Sequence, residues 1–175
     1  MLTKDMKDLI RAFNQQGVEY LLVGGYAFGV HAQPRATKDL DLFIRANATN
    51  SDAVFRALCQ YGAPLGGLTA KDFRHAKTGL QVGVPPNRID IIQQISGVTF
   101  DEAWKDRVNA TIEGDTPTYV ISRECLIKNK LAAGREQDIL DVKQIQKAAV
   151  SAPEQPKRKN GKLLLTKKKS KRIER

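Results

Sequence analysis

Between Lys38 and Arg45 the chain reads KDLDLFIR, and this alternation constrains the fold more than any other feature. Leu40, Leu42 and Ile44 take one face of a strand, while Asp39, Asp41 and Phe43 take the other. Residues two apart on a strand project together, with Cα atoms roughly 6.5 to 7 Å apart. Two carboxylates side by side on a half-buried strand are costly unless something positive meets them. The chain therefore needs a sheet, and the sheet needs a partner for its acids.

A third acid follows in PPNRIDIIQQI, where Asp90 and Ile92 share one face of a further strand and Ile89 and Ile91 the other. If the two strands lie side by side, three carboxylates converge and each resists the ionisation of its neighbours. A divalent cation resolves the conflict. Oxygen ligands suit Mg²⁺ or Mn²⁺, and Mg²⁺ is characteristically shared between carboxylates and substrate phosphates. Two ions about 3.5 to 4 Å apart can bind both the attacking and the leaving oxygen of a phosphoryl displacement. Asp39, Asp41 and Asp90 are the expected metal ligands.

The stretch VEYLLVGG reads as a buried strand ending in glycine, and YAFGVHAQ as a helix ended by Pro34. Gly24 and Gly25 thus fall where a strand hands over to a helix N-terminus, whose free N–H groups and positive dipole suit a phosphate. The alternative is a simple tight turn. No G-x-G-x-x-G pattern is present, which disfavours dinucleotide binding. Arg35 either meets a triphosphate or stays solvated, and Thr37 either holds the turn or meets ligand. His31 and His75 read as structural or exposed, since neither has a second ligand at metal spacing.

Around these motifs the periodicity predicts a first helix over residues 4–16, stopped at Gly17. SDAVFRALCQYG is expected as a helix capped by Ser51 and ended at Gly62. FRHAKTGLQVGV suggests a hairpin turning at Thr78 and Gly79, FDEAWKDRV a helix and TPTYVIS a strand. RECLIKNKLAAGREQDILDVKQIQKAAV reads as one or two helices, breaking at Gly134 if two. Cys59 and Cys125 have no C-x-x-C spacing and are expected to be buried and reduced.

The 175 residues suffice for one domain. No apolar run reaches the roughly 20 residues of a membrane span, and the charged N-terminus lacks a signal-like core, so a cytoplasmic address is expected. The net charge of +10 suggests nucleic acid until it is located. From Ser151 onward there are ten Lys or Arg and two Glu, which leaves residues 1–150 close to neutral. Residues 1–150 are read as the domain and 151–175 as a disordered basic tail, in which Leu163, Leu164 and Leu165 form a local docking point. The tail is either solvated without a partner or a phosphate-binding arm.

VGG at 23–25, DLD at 39–41 and RIDII around Asp90 together resemble the signature of the DNA polymerase beta-like nucleotidyltransferase superfamily. GGYA, His31 and PRATKDLD are similar in wording to its bacterial branch of toxin-type and antibiotic-modifying enzymes. IKNKLAAGREQDILDV resembles that branch's later motifs, at Lys130, Arg135 and Asp138, with Asp141 as an addition. The likeness spans about residues 18 to 145 and implies a nucleotidyltransferase fold: a mixed α/β (α+β) sheet with its acids on one face and helices packed on one side. It implies transfer of a nucleoside monophosphate from a nucleoside triphosphate to an acceptor hydroxyl, with two Mg²⁺ or Mn²⁺ ions on Asp39 and Asp41 and Asp90 as general base. Gly24, Gly25, Arg35, Thr37, Lys130, Arg135 and Asp138 then belong to the nucleotide site. Lys130 and Arg135 are five residues apart, about 140° on an unbroken helix, and share a face only if Gly134 bends or ends it.

Acceptors in that branch include RNA ends, protein hydroxyls and small molecules, and the basic tail favours RNA or tRNA, with a toxin-antitoxin role and an antitoxin partner. The rival of another class is a catalytically silent binding module that serves as antitoxin, sensor or regulatory partner. D-x-D also occurs in metal-dependent glycosyltransferases, which need a larger domain.

Overall fold

The computed structural model describes residues 2–37, 39–75, 79–85, 87–112 and 116–151. Among these residues six helices, one 3₁₀ turn and six strands follow one another: α1 (Lys4–Gln15), β1 (Tyr20–Leu22), α2 (Gly24–His31), β2 (Asp39–Ile44), α3 (Ala48–Tyr61), the 3₁₀ turn (Ala70–Arg74), β3 (Leu80–Val82), β4 (Arg88–Ile92), α4 (Phe100–Lys105), β5 (Val108–Ile112), β6 (Thr116–Val120), α5 (Arg123–Ala133) and α6 (Glu136–Ser151). The strands form one mixed sheet in the order β3-β4-β2-β1-β6-β5. β2 runs parallel to β4 and β1 parallel to β6, while the remaining neighbours are antiparallel. The expected mixed α/β architecture is the observed one.

The helices form because their apolar residues recur on one side and their ends are satisfied. Thr3 caps α1 by accepting from the Met6 N–H, and Met6, Leu9, Ile10 and Phe13 line its buried face. Phe13 meets Tyr20 of β1 edge to face, with ring centroids 5.5 Å apart. The Tyr20 hydroxyl, fully buried, is held between Asn14 and Thr118. Tyr20 and Leu22 register with Ile44 and Leu42, so α1 closes the face of β2 opposite the acids. Burying side chains of this size contributes about 1.5–3 kcal/mol each. On the acid face, beyond Asp39 and Asp41, Phe43 packs against Phe100 of α4, which stacks on Trp104.

Asn50 fastens β1 to β2. It accepts from the Glu19 N–H at 2.7 Å and donates to the carbonyls of Glu19 and Arg45.

Several local expectations change. Asn47, not Ser51, caps α3, and Ser51 is buried within its second turn. The helix ends as predicted at Gly62, in the left-handed region with φ +82. Phe73 lies in the 3₁₀ turn, where Asp72 and Thr69 close a reciprocal cap, and not in a strand. Of the hairpin expected within FRHAKTGLQVGV only the second arm is a strand, β3, and it pairs with β4 instead, Leu80 opposite Ile91; Thr78 of the expected turn lies outside the described residues. The helix over FDEAWKDRV stops at Lys105, and Val108 opens β5, whose VNATI does alternate, with Val108, Ala110 and Ile112 on one face and Asn109 and Thr111 on the other, a strand signal that reading FDEAWKDRV as one helix passes over. Gly134 does end α5, at φ +67, and α6 starts anew. Cys59 is exposed because α3 buries the opposite side, at Val54, Ala57 and Leu58, whereas Cys125 is buried; both thiols are free. Among the described residues no helix is long and apolar enough to cross a membrane. Beyond Ser151 the basic stretch and its three leucines lie outside the described residues.

Candidate active site on the acidic face of the sheet

Parallel pairing of β2 and β4 sets Asp41 opposite Asp90 and Asp39 opposite Arg88. Adjacent strands lie about 4.8 Å apart, so the three acids share one face of two neighbouring strands. Burial first, then the nearby Asp90 and Asp39, push the Asp41 carboxyl up to about 6, against a smaller pull from Arg135 and Arg88. Burial also raises Asp90, with Asp39 adding to it, while Arg88 and a hydrogen bond from Gln81 of β3 oppose.

Arg88 was not assigned a role from the sequence. Its Nη2 donates to Asp39 Oδ2 at 2.7 Å and lies 3.1 Å from Asp90 Oδ2. The signal was present in the alternation of RIDII, which puts residue 88 on the face of residue 90.

Gly24 and Gly25 are required by close approach. Gly24 has φ +60, and a Cβ there would sit 2.0 Å from Asp41 Oδ2; a Cβ on Gly25 would sit 2.4 Å from Thr37 Oγ1. α2 begins at Gly24, and Val23 before it offers no side-chain cap, so the helix N-terminus opens beside the Asp41 carboxylate. Gly24, Asp41 and Arg135 line one cavity of about 420 Å³, with Ile92, Ser96 and Asn129. Gly25, Arg35 and Thr37 line a larger and mostly apolar cavity of about 610 Å³. Asp90 and Gln81 line a third, of about 430 Å³, at the β3 side.

Lys130 and Asp138 stand behind this arrangement. Lys130 is buried and donates to Asp138 Oδ1 at 2.9 Å and Asp141 Oδ2 at 2.7 Å. Asp141 also receives Arg35 through both carboxylate oxygens, at 3.0 and 2.9 Å, and Gln137 at 2.9 Å. Burial alone would raise Asp141, but the hydrogen bonds from Arg35, Lys130 and Gln137 outweigh it and hold the carboxyl at about 2. Asp138 takes Arg135 Nε at 2.6 Å. The break at Gly134 is what lets Arg135 leave the helix and reach the cavity while tied to Asp138. His31 is structural, its Nε2 2.7 Å from the Ile121 carbonyl oxygen.

The donor set suits a hard divalent ion in chemistry if not yet in spacing. Asp39 Oδ1 and Asp90 Oδ1 are buried with no hydrogen-bond partner among the described residues, and such oxygens are costly to leave bare. Among the same residues no group of three or more His, Cys, Asp or Glu stands at metal-binding spacing. Asp41 is turned toward Gly24 while Arg88 holds Asp39 and Asp90 by their Oδ2 atoms, so closing a cage takes rotation of the Asp41 side chain.

Residues 1–151 match the family model described as nucleotidyltransferase of unknown function (DUF6036). No curated protein matches the chain. Among solved structures, the chain is similar to an antigenic nucleotidyltransferase-like protein from Paracoccidioides brasiliensis, at 16% identity and a TM-score of 0.49, over 89% of this chain and 81% of that one.

Proposed function

We propose, from the premise that the chain belongs to the DUF6036 family of nucleotidyltransferases, that it moves a nucleoside monophosphate from a nucleoside triphosphate to an acceptor hydroxyl. The observation that carries this reading is the register of Asp41 with Asp90 beside the helix start at Gly24: acids and phosphate cradle meet at one place.

In this reading Asp39, Asp41 and Asp90 hold divalent ions, Mg²⁺ or Mn²⁺, which supply charge to polarise the α-phosphate and to ease departure of pyrophosphate. The Gly24 and Gly25 amides and the N-terminus of α2 receive the outer phosphates. Arg135, in the same cavity, adds positive charge to the phosphate side. Asp90 takes the acceptor hydroxyl's proton as the new bond from oxygen to the α-phosphorus forms and the bond to the bridging oxygen breaks. Asp90 lines the cavity shared with Gln81 and not the one at Gly24, so in this reading the acceptor would be held on the Gln81 side and the triphosphate on the Gly24 side. Thr37 packs against Gly25, and Arg35, held by Asp141, lines the same cavity as both. Lys130 and Asp138 act from behind by fixing Arg135 and the loop of Arg35.

The acceptor favoured is RNA, tRNA included, ahead of a protein or small molecule, and a toxin with an antitoxin partner is the corresponding biological role. The support is the excess of Lys and Arg after Ser151, suited to phosphate backbones. A second reading, a nucleotide-binding module without turnover, draws on the pairing of Arg88 with two of the three acids.

Incubation of the protein with each labelled nucleoside triphosphate, Mg²⁺ and either total RNA or lysate protein separates these readings. Label in RNA, lost in Asp41→Asn and Asp90→Asn variants that keep their fold, is the expected result. Nucleotide binding without pyrophosphate release would favour the silent module. Deleting residues 152–175 is expected to weaken labelling and flatten its salt dependence; an unchanged rate and salt dependence would remove the tail from the mechanism.

A further inference from the structure

Arg88 approaches the acids in a way that distinguishes two roles of opposite sign. One nitrogen, Nη2, reaches Oδ2 of both Asp39 and Asp90, at 2.7 and 3.1 Å. Oδ1 of each acid is buried and has no hydrogen-bond partner among the described residues. A guanidinium that merely took the place of the ion would turn its donors to all these oxygens. Here it engages one oxygen of each carboxylate and leaves the other bare, although its five donors permit more.

From this geometry we infer that Arg88 is a positioning residue for the metal site: it fixes Asp39 and Asp90 by their Oδ2 atoms so that the Oδ1 atoms are the ones offered to a divalent ion. The inference rests on the metal-dependent reading proposed above. Ligating carboxylates are commonly held by hydrogen bonds of this kind, and loss of such a partner typically weakens metal binding. Asp41 lies outside these Arg88 contacts, against the backbone at Gly24, where the lack of a Cβ leaves room for its carboxylate. Gln81 reaches Asp90 from β3, and the charge of Arg135 bears on Asp41.

The two roles predict opposite changes. Removing a cation beside a cation site tightens metal binding on Coulombic grounds alone. Removing a positioning donor loosens it. Mn²⁺ titration of the full chain without nucleotide, following free Mn²⁺ by electron paramagnetic resonance, reads the sign directly. Arg88→Met is expected to bind roughly 10–100-fold more weakly than wild type. Arg88→Lys keeps the charge and one donor nitrogen but has no planar fork, and falls between the two. Thermal melting by circular dichroism checks that each variant is folded; if Arg88→Met is not, the order of wild type over Arg88→Lys decides. Equal or tighter binding in the variants overturns the inference and leaves the metal-dependent reading intact. Absence of Mn²⁺ binding by the wild type overturns both.

Discussion

Gly24 lies so close to Asp41 that a Cβ on the glycine would meet the carboxylate Oδ2 at 2.0 Å. The backbone cradle and the most perturbed acid of the site are therefore packed against each other, with no room for a side chain between them. Gly24→Ala is expected to cost on the order of 1–2 kcal/mol for the left-handed backbone alone, with displacement of Asp41 in addition. Denaturant unfolding and label transfer measured on the same preparation should both fall. A variant with native stability and full transfer would show that Asp41 need not lie beneath the turn.

The elevated Asp41 predicts a pH dependence. Its carboxyl is raised from 3.8 to about 6, so the native state binds a proton that the unfolded chain releases between those values. Without metal, stability falls as pH rises through that window and stays lower above it. Asp41→Asn removes its share of the effect, leaving that of the likewise raised Asp90, and is expected to stabilise the metal-free protein at pH 7.5 by on the order of 2 kcal/mol. Urea midpoints at pH 4.5 and 7.5 for both proteins provide the measurement. Mn²⁺ affinity of the wild type should rise with pH through about 6, as the site sheds that proton.

The cluster joining α6 to the site obeys the opposite sign. Asp141 is held at about 2, below its ordinary 3.8, so its contribution is present above about pH 4 and is lost as pH falls toward 2. Asp141→Asn leaves Lys130 buried with one anionic partner and frees Arg35 from its paired contacts, and a cost of about 3–5 kcal/mol is expected. Asp141→Asn with Lys130→Met should recover part of that loss, because no buried cation is left over. Chemical unfolding of both single variants and the double variant tests this; a double-variant loss equal to the sum of the two single losses would place the two residues in separate interactions.

Asn50 offers a test of the scaffold apart from the chemistry. It satisfies one N–H and two carbonyls where β1 starts and β2 ends. Asn50→Ala is expected to destabilise by about 1–3 kcal/mol, through the loss of three hydrogen bonds at partly buried strand ends where the Glu19 carbonyl keeps one from the Arg45 N–H, while Mn²⁺ affinity per folded molecule is unchanged. A loss of metal binding in the folded variant would tie the strand ends to the site.

Much of the molecule is written in local order. Alternation in KDLDLFIR and RIDII determined that Asp39, Asp41 and Asp90 emerge on faces opposite to Leu40, Leu42, Ile89 and Ile91, because strand geometry has a period of two and apolar faces seek the core. The glycines marked where a strand becomes a helix, and Gly134 where α5 stops, since φ near +60 is cheap for that residue alone. β5 alternates over only five residues, Val108, Ala110 and Ile112 against Asn109 and Thr111, directly after a helical stretch, and what establishes it as a strand is its pairing with β6, a property of the sheet. Tertiary structure alone decided what lay across the gaps: β4 beside β2 in the register that opposes Asp41 to Asp90, Arg88 between two acids 49 residues and 2 residues away, and Arg35 fastened to Asp141 across 106 positions. Such partners are chosen by which side chains the packed sheet and helices bring within hydrogen-bond reach, a relation between distant segments that no period along one segment records.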